Sequence, residues 1–187
     1  MSQPTDIATL LQAARLAADK HRDQHRKGAS APPYINHPIE FADFLVCVGG
    51  VTDLVTLVAA LLHDTIEDTK TKPEEVETRF GAEIRALVVE VTDNKSLPQT
   101  ERKQAQVDHA PYLSRRAKEL KIADKIANVL EITNDPPADW SLERKREYFE
   151  WAERVVEGCR GVNQGLEDRF DEVLKDARLS VGVDRIE

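Results

Sequence analysis

The chain has 187 residues, 41% of them apolar and 32% charged, a balance that describes a folded globular protein with enough length for a real core. Its formal net charge of −8 argues against a general nucleic-acid binder, although local cationic clusters can hold an anion against a negative background. The N-terminus lacks a basic start followed by an apolar run, and no apolar stretch reaches the ~18 residues of a membrane span, so a cytoplasmic protein with no membrane partner is expected.

Helical periodicity dominates. From Ile7, the residues Leu10, Leu11, Ala14, Ala17 and Ala18 keep helical spacing toward His21. The following "DKHRDQHRK" is very polar, so His21 and His25 read as a solvated helix end. Pro38 opens a second helix, "PIEFADFLVCVGG", which Gly49-Gly50 ends. Cys47 within it and the distant Cys159 form no CxxC pair and read as buried thiols. Thr52 is the expected N-cap of "DLVTLVAALLHDTIED", the most apolar helix of the chain. "PEEVETRF" starts at Pro73, and Gly81 divides it from "AEIRALVVEVTD". Polar "NKSLPQT" leads into a charged helix from about Glu101, interrupted near Pro111. "RRAKELKIADKIANVLEI" then places Ala117, Leu120, Ile122, Ala123, Ile126, Val129 and Leu130 at helical spacing. Ser141 caps "LERKREYFEWAERVVEGC", and a last helix runs from about Gln164 to Ala177, with a loosely packed tail beyond Arg178. No strand-like alternation persists and nothing marks a linker. The expectation is a single all-α domain over residues 1–187.

"ALLHDTIEDT" packs His63, Asp64, Glu67 and Asp68 into the end of that apolar helix. Burying such groups costs several kcal/mol unless something pairs with them. On a helix His63 and Glu67 share a face, as do Asp64 and Asp68. Two ligands rarely suffice for a metal, and two more candidates stand in core-like segments. His37 lies in "PYINHP" before the helix-opening proline, and Asp124 is a lone acid on the apolar face of "LKIADKIANV". Two imidazoles and two carboxylates with open positions suit Mn²⁺, Fe²⁺ or Zn²⁺ better than Ca²⁺. Arg26 and Lys27, one loop upstream of His37, form a cationic pair able to grip an anion, and Tyr34 stands in the same loop. Asn128, four residues after Asp124, shares its helix face.

The order of motifs resembles that of the HD-domain metal-dependent phosphohydrolases, and within them the alarmone hydrolases of the Rel/SpoT type. The matching stretches are "HRDQHRKG", "PYINHP", "ALLHDTIEDT", "FGAEIRALVVEVTDNKSLP", "KIADKIANV" and "REYFEWAERVVEG", spanning about residues 6 to 175. The similarity is nearest to the stand-alone small alarmone hydrolases, including the metazoan SpoT homolog. It implies an HD helical bundle of about ten helices that removes the 3′-diphosphate of guanosine tetra- and pentaphosphate, leaving GDP or GTP plus pyrophosphate. By position, His37, His63, Asp64 and Asp124 match the family's metal ligands, with Mn²⁺ the implied ion and Zn²⁺ or Fe²⁺ as substitutes. Glu67 and Asp68 match the acidic pair needed for hydrolysis. With such a substrate, Arg26 and Lys27 are candidates for phosphate contact and Tyr34 and Asn128 for base or ribose; the resemblance also puts Arg144 near phosphate and Tyr148 near the nucleoside. Lys95, with Arg102 and Lys103, flanks a polar loop able to close over the diphosphate. Gln99 departs from the lysine that relatives carry after "LP", and Leu130 from an arginine of the long Rel proteins. Both changes bear on base preference and 5′-phosphate selectivity. Alternative activities at the same site are hydrolysis of adenine alarmones and removal of the 2′-phosphate of NADPH; a non-catalytic nucleotide-binding module is a third reading. Monomer and homodimer both remain open.

Overall fold

The computed structural model describes residues 5–182. Ten α-helical segments follow one another, with no strand among the described residues. They are α1 (Asp6–Lys20), α2 (Asn36–Asp43), α3 (Leu54–Leu62), α4 (Thr65–Asp68), α5 (Pro73–Phe80), α6 (Ala82–Val91), α7 (Gln99–His109), α8 (Arg115–Asn134), α9 (Leu142–Glu157) and α10 (Gln164–Ser180). A π-helical turn at Phe44–Val48 extends α2, and a 3-10 turn at Ala110–Tyr112 extends α7. The expected all-α bundle of about ten helices is borne out.

Polar caps set the starts of several helices. Thr5, Ser114, Ser141 and Asn163 each accept a backbone N–H from the first turn of α1, α8, α9 and α10. The cap of α3 is Asp53 rather than Thr52. Its carboxylate accepts from Thr56 N–H at 2.9 Å and from the Thr56 hydroxyl at 2.6 Å, and it pairs with Arg116 Nε at 2.9 Å. Burial acts to raise the pKa of Asp53, but the Thr56 and Arg116 contacts outweigh it and hold the carboxyl below its ordinary value. Asp53→Ala is therefore expected to cost about 1–2 kcal/mol at pH 7, measured by denaturant unfolding. The depressed pKa means this contribution is present above about pH 4 and fades as pH falls through the folded-state value, so the mutational penalty shrinks in acid.

Two helices carry the site. In α3, Val58, Ala59, Ala60 and Leu62 are fully covered, packed against α1, α2 and α6. α8 is buried on nearly every side, by α10, α9, α2 and α6, which is why an acid and a lysine in its middle lie inside the protein.

Several local expectations are corrected. α2 starts at Asn36, so His37 sits inside its first turn and not ahead of it. Cys47 is exposed, its thiol donating to Asp43 Oδ1 at 3.2 Å. The π turn accounts for this: the Gly49 N–H reaches back to Phe44 O, and the extra residue rotates Cys47 outward. Cys159 is buried as expected. His21 is buried, stacked on Tyr34 with centroids 4.6 Å apart and bonded through Nδ1 to Gln24. His25 is exposed. α10 continues to Ser180, and buried Val181 accepts from Arg146 Nη2 at 2.6 Å, so the chain is held beyond Arg178. The remainder of the expected loose tail, 183–187, lies outside the described residues.

Candidate active site

The apolar helix does not run through "HDTIED" as one piece. α3 ends at Leu62, Asp64 takes φ −92° and ψ −6°, and α4 begins at Thr65. The carbonyls that a helix end leaves without partners are taken by side chains from the break itself. Thr65 Oγ1 donates to Leu62 O at 2.6 Å, and His63 Nδ1 lies 2.7 Å from Ala60 O. A carbonyl only accepts, so Nδ1 carries a proton and Nε2 is the atom left to face the cluster. Burial acts to lower the pKa of His63, but the Asp64 and Asp124 carboxylates outweigh it and raise it.

His63 Nε2 is enclosed, without a hydrogen bond, and Asp64 Oδ2 stands 2.9 Å away. A ring nitrogen held this close to a carboxylate oxygen needs a cation between the two, a proton or a metal ion. Around this point His37 Nε2 is 3.4 Å from Asp124 Oδ1 and 3.9 Å from Asp64 Oδ2. The ligand atoms of His37, His63 and Asp124 all fall within 4.8 Å of one another. Side chains from α2, from the α3–α4 break and from α8 thus converge as a donor set that fits a divalent ion.

Electrostatics agree with that fit. Against the upward push of burial, the cationic form of His63 holds the Asp64 carboxyl well below its ordinary value, so the carboxylate offers a charged oxygen to a proton or a metal ion. Asp124 is likewise kept far below its ordinary value by Lys125 and His37. Burial lowers the pKa of His37 and keeps its ring neutral, the state that ligates. Asp124 is braced on both oxygens: Lys125 Nζ donates to Oδ2 at 2.8 Å, and Asn128 Nδ2 to Oδ1 at 2.6 Å.

The cluster lies in a cleft of about 270 Å³, and a second cleft of about 510 Å³ adjoins it. Glu67 lines the first, with Oε2 accepting the Asp93 N–H at 3.0 Å and its pKa raised by burial. Asp68 lines only the second, its carboxylate tied to Tyr34 OH at 3.1 Å and to Lys95 Nζ. The two acids therefore line different clefts, with Lys95 between them: its Nζ contacts Asp68 and lies 3.9 Å from Glu67 Oε1. Tyr34 donates to Asp64 Oδ2 at 2.5 Å, so its hydroxyl is spent on the acids.

The remaining candidates surround the second cleft. Arg26 pairs with Glu131 and donates to Asn128 Oδ1 at 2.7 Å, so Asn128 bridges Arg26 to Asp124 with its whole amide. The loop bearing Arg26 and Lys27 is pinned to the end of α8. Ser30 bonds Asp135, and a Cβ on Gly28 would stand 2.5 Å from the Asp135 carbonyl oxygen. Arg144 stacks over Trp140 at 4.6 Å, and Tyr148 lines both clefts with its phenol pushed up to about 12 by burial. Lys27 and Gln99 line the second cleft as well. Sequence reasoning missed Lys125, Trp140 and Asp93. Only Lys125 had a signal, being a lysine inside the apolar stretch that holds Asp124.

A helical bundle that joins a His-Asp pair at a helix break to a distant histidine and aspartate defines an HD-domain protein, and the HD-domain family model matches residues 13–150. The chain is 50% identical over 177 residues to the human guanosine-3′,5′-bis(diphosphate) 3′-pyrophosphohydrolase MESH1, covering 95% of this chain and 99% of that protein. The Xenopus tropicalis MESH1 is 48% identical with the same coverage. A solved structure, described as a metazoan ortholog of SpoT that hydrolyzes ppGpp and plays a role in starvation responses, matches with a TM-score of 0.88 at 40% identity, over 98% of this chain and 99% of the other. The chain belongs to the HD-domain family and, within it, to the group of MESH1 proteins.

Proposed function

We propose that the chain removes the 3′-diphosphate of guanosine-3′,5′-bis(diphosphate) as pyrophosphate, with a divalent metal held by His37, His63, Asp64 and Asp124. The observation that carries this is the unpartnered His63 Nε2 facing Asp64 at the floor of a cleft that opens onto a second, nucleoside-sized one. The activity named for relatives at about half identity across nearly the whole chain supports the same chemistry. Mixed nitrogen and oxygen donors suit Mn²⁺, and also admit Zn²⁺ or Fe²⁺. Such an ion, when bound, polarises a phosphate oxygen and lowers the pKa of water.

The chain's own residues supply the rest. Water attacks the phosphorus bonded to O3′, that bond breaks, and the nucleoside oxygen leaves. Glu67 lines the same cleft as the donor set and has a raised pKa, so it takes the proton of the attacking water. Asp68, committed to Tyr34 and Lys95, fixes the wall beside it. Lys27 and Arg144 meet the 5′-phosphates, while Trp140 and Tyr148 offer faces to the base. Arg26 and Asn128 hold Asp124 in place rather than touching the nucleotide first. We read the chain as one hydrolase domain acting on a small nucleotide in the cytoplasm; no described helix is long and apolar enough to cross a membrane.

Asn128→Ala is expected to weaken metal affinity about 10- to 100-fold by releasing Asp124, measured by metal titration. The function itself is tested by incubating the Mn²⁺-loaded chain with ppGpp, ppApp and NADPH and separating the products. Pyrophosphate and GDP from ppGpp are expected; no pyrophosphate from ppGpp at micromolar enzyme contradicts the proposal.

A further inference from the structure

Three clefts stand in a row. Arg26, Tyr34, Gln99, Lys103, Asn128 and Tyr148 are shared by the metal cleft and the nucleoside cleft. On the opposite side, Val91, Asp93, Arg102, Gln106 and Lys121 are shared by the metal cleft and a third cleft of about 260 Å³. No residue lines both the second and the third. The metal cleft therefore lies between them, and Arg102 belongs to its end farther from the nucleoside.

Arg102 is a charge without a counter-charge. Its Nε is enclosed with no hydrogen-bond partner, and its guanidinium makes no ion pair among the described residues. The nearby acids are already used. Asp93 accepts from Gln106 Nε2 and lies 3.8 Å from Lys121 Nζ. Glu90, on the far side of the wall, gives both oxygens to Ser114. Gln106 Oε1, an acceptor, is also unpartnered. One residue on, Lys103 makes no ion pair among the described residues, held with Nζ 5.4 Å and 4.9 Å from the ring centres of Tyr148 and Trp151. Burial lowers its pKa, and the Lys125 and Arg144 charges add to this against the opposing Glu147 carboxylate. A guanidinium enclosed in this way is a fork for a phosphate.

We infer that Arg102 binds the terminal phosphate of the 3′-diphosphate and so sets the preference of the site for a diphosphate over a monophosphate. This rests on the proposed function, which places the nucleoside in the second cleft and the reacting phosphorus at the His37, His63, Asp64 and Asp124 cluster. A substrate so placed extends its last phosphate toward the third cleft, where Arg102 waits.

The test is calorimetric titration of the full chain with inorganic pyrophosphate and with orthophosphate, at fixed Mn²⁺, for the wild type, Arg102→Gln and Arg102→Lys. The wild type is expected to bind pyrophosphate more tightly than orthophosphate. Arg102→Gln weakens pyrophosphate about 10- to 100-fold and leaves orthophosphate unchanged, because only the longer anion reaches the fork. Arg102→Lys, which keeps charge and length if the amide variant folds poorly, recovers part of the loss. In turnover of ppGpp, Arg102→Gln raises KM more than it lowers kcat. Equal pyrophosphate affinity in the wild type and both variants, equal losses for the two anions, or no wild-type preference for pyrophosphate overturns the inference. The titration involves no turnover, so a wild type that fails to hydrolyse ppGpp refutes the proposed function and leaves the binding result standing. Normal hydrolysis with unchanged binding in the variants refutes the Arg102 role alone.

Discussion

Replacing His63 by alanine is expected to reduce hydrolysis by at least about a thousandfold, the equivalent of about 4 kcal/mol of lost transition-state stabilisation. The same change should abolish the rise in melting temperature that Mn²⁺ gives the folded chain. The reasoning starts from the helix break. His63 uses Nδ1 to cap Ala60 O and so fixes Nε2 against Asp64, where a proton or a metal ion must stand between the two. An ion that binds only the folded chain stabilises it by about 2.7 kcal/mol at a hundred times its dissociation constant, which a thermal melt resolves readily. His63→Ala also removes the cap, so its melting temperature falls for a second reason. Asp64→Asn separates the two effects. It keeps the volume and leaves the Ala60 contact alone, yet removes the charge that faces Nε2. Metal stabilisation and turnover should disappear in both variants, while the metal-free stability loss appears mainly in His63→Ala. Undiminished Mn²⁺ stabilisation in Asp64→Asn would place the ion elsewhere.

Glu67→Gln is expected to lower kcat about 10²- to 10⁴-fold while leaving Mn²⁺ stabilisation in place, because the change removes a proton acceptor and no ligand. Asp68→Asn should cost less, about tenfold, since that carboxylate lines only the second cleft and acts through Lys95 and Tyr34. The pH profile gives the sign. A carboxylate whose pKa is raised by burial works only when ionised, so the wild-type rate climbs as pH rises through that pKa. This rising limb is expected to vanish in Glu67→Gln and to persist in Asp68→Asn. Equal losses and unchanged profiles for both variants would contradict the assignment.

The two acids also show where sequence alone stops. The resemblance gave Glu67 and Asp68 one joint role in hydrolysis, but adjacent residues on a single-turn helix point apart by about 100°, enough to line different clefts. The Pro73 helix start, the Ser141 cap and the apolar faces were readable because each is local, whereas the starts of α2 and α3 were misplaced by one or two residues. His37 and Asp124 could be picked out as polar intruders in core-like segments. The break after Leu62 was not readable, since it depends on His63 and Thr65 bonding to carbonyls behind them. His21 was misread for a related reason. Its neighbours are polar, and only the return of the loop to Tyr34 buries it. Lys125 was passed over because a lysine beside an acid usually means solvent; here Lys125 is buried, Asp124 is half-buried at the cleft, and each neutralises the other. Cys47 turned outward through a single π turn, which apolar surroundings do not announce.

The most direct measurement strips the chain of metal, restores Mn²⁺ in steps and follows pyrophosphate release from ppGpp. The expected result is no release from the stripped chain, with activity rising to a plateau at one ion per chain. Release that survives metal removal, or a fully loaded chain that yields no pyrophosphate, contradicts a metal-dependent hydrolase built on His37, His63, Asp64 and Asp124.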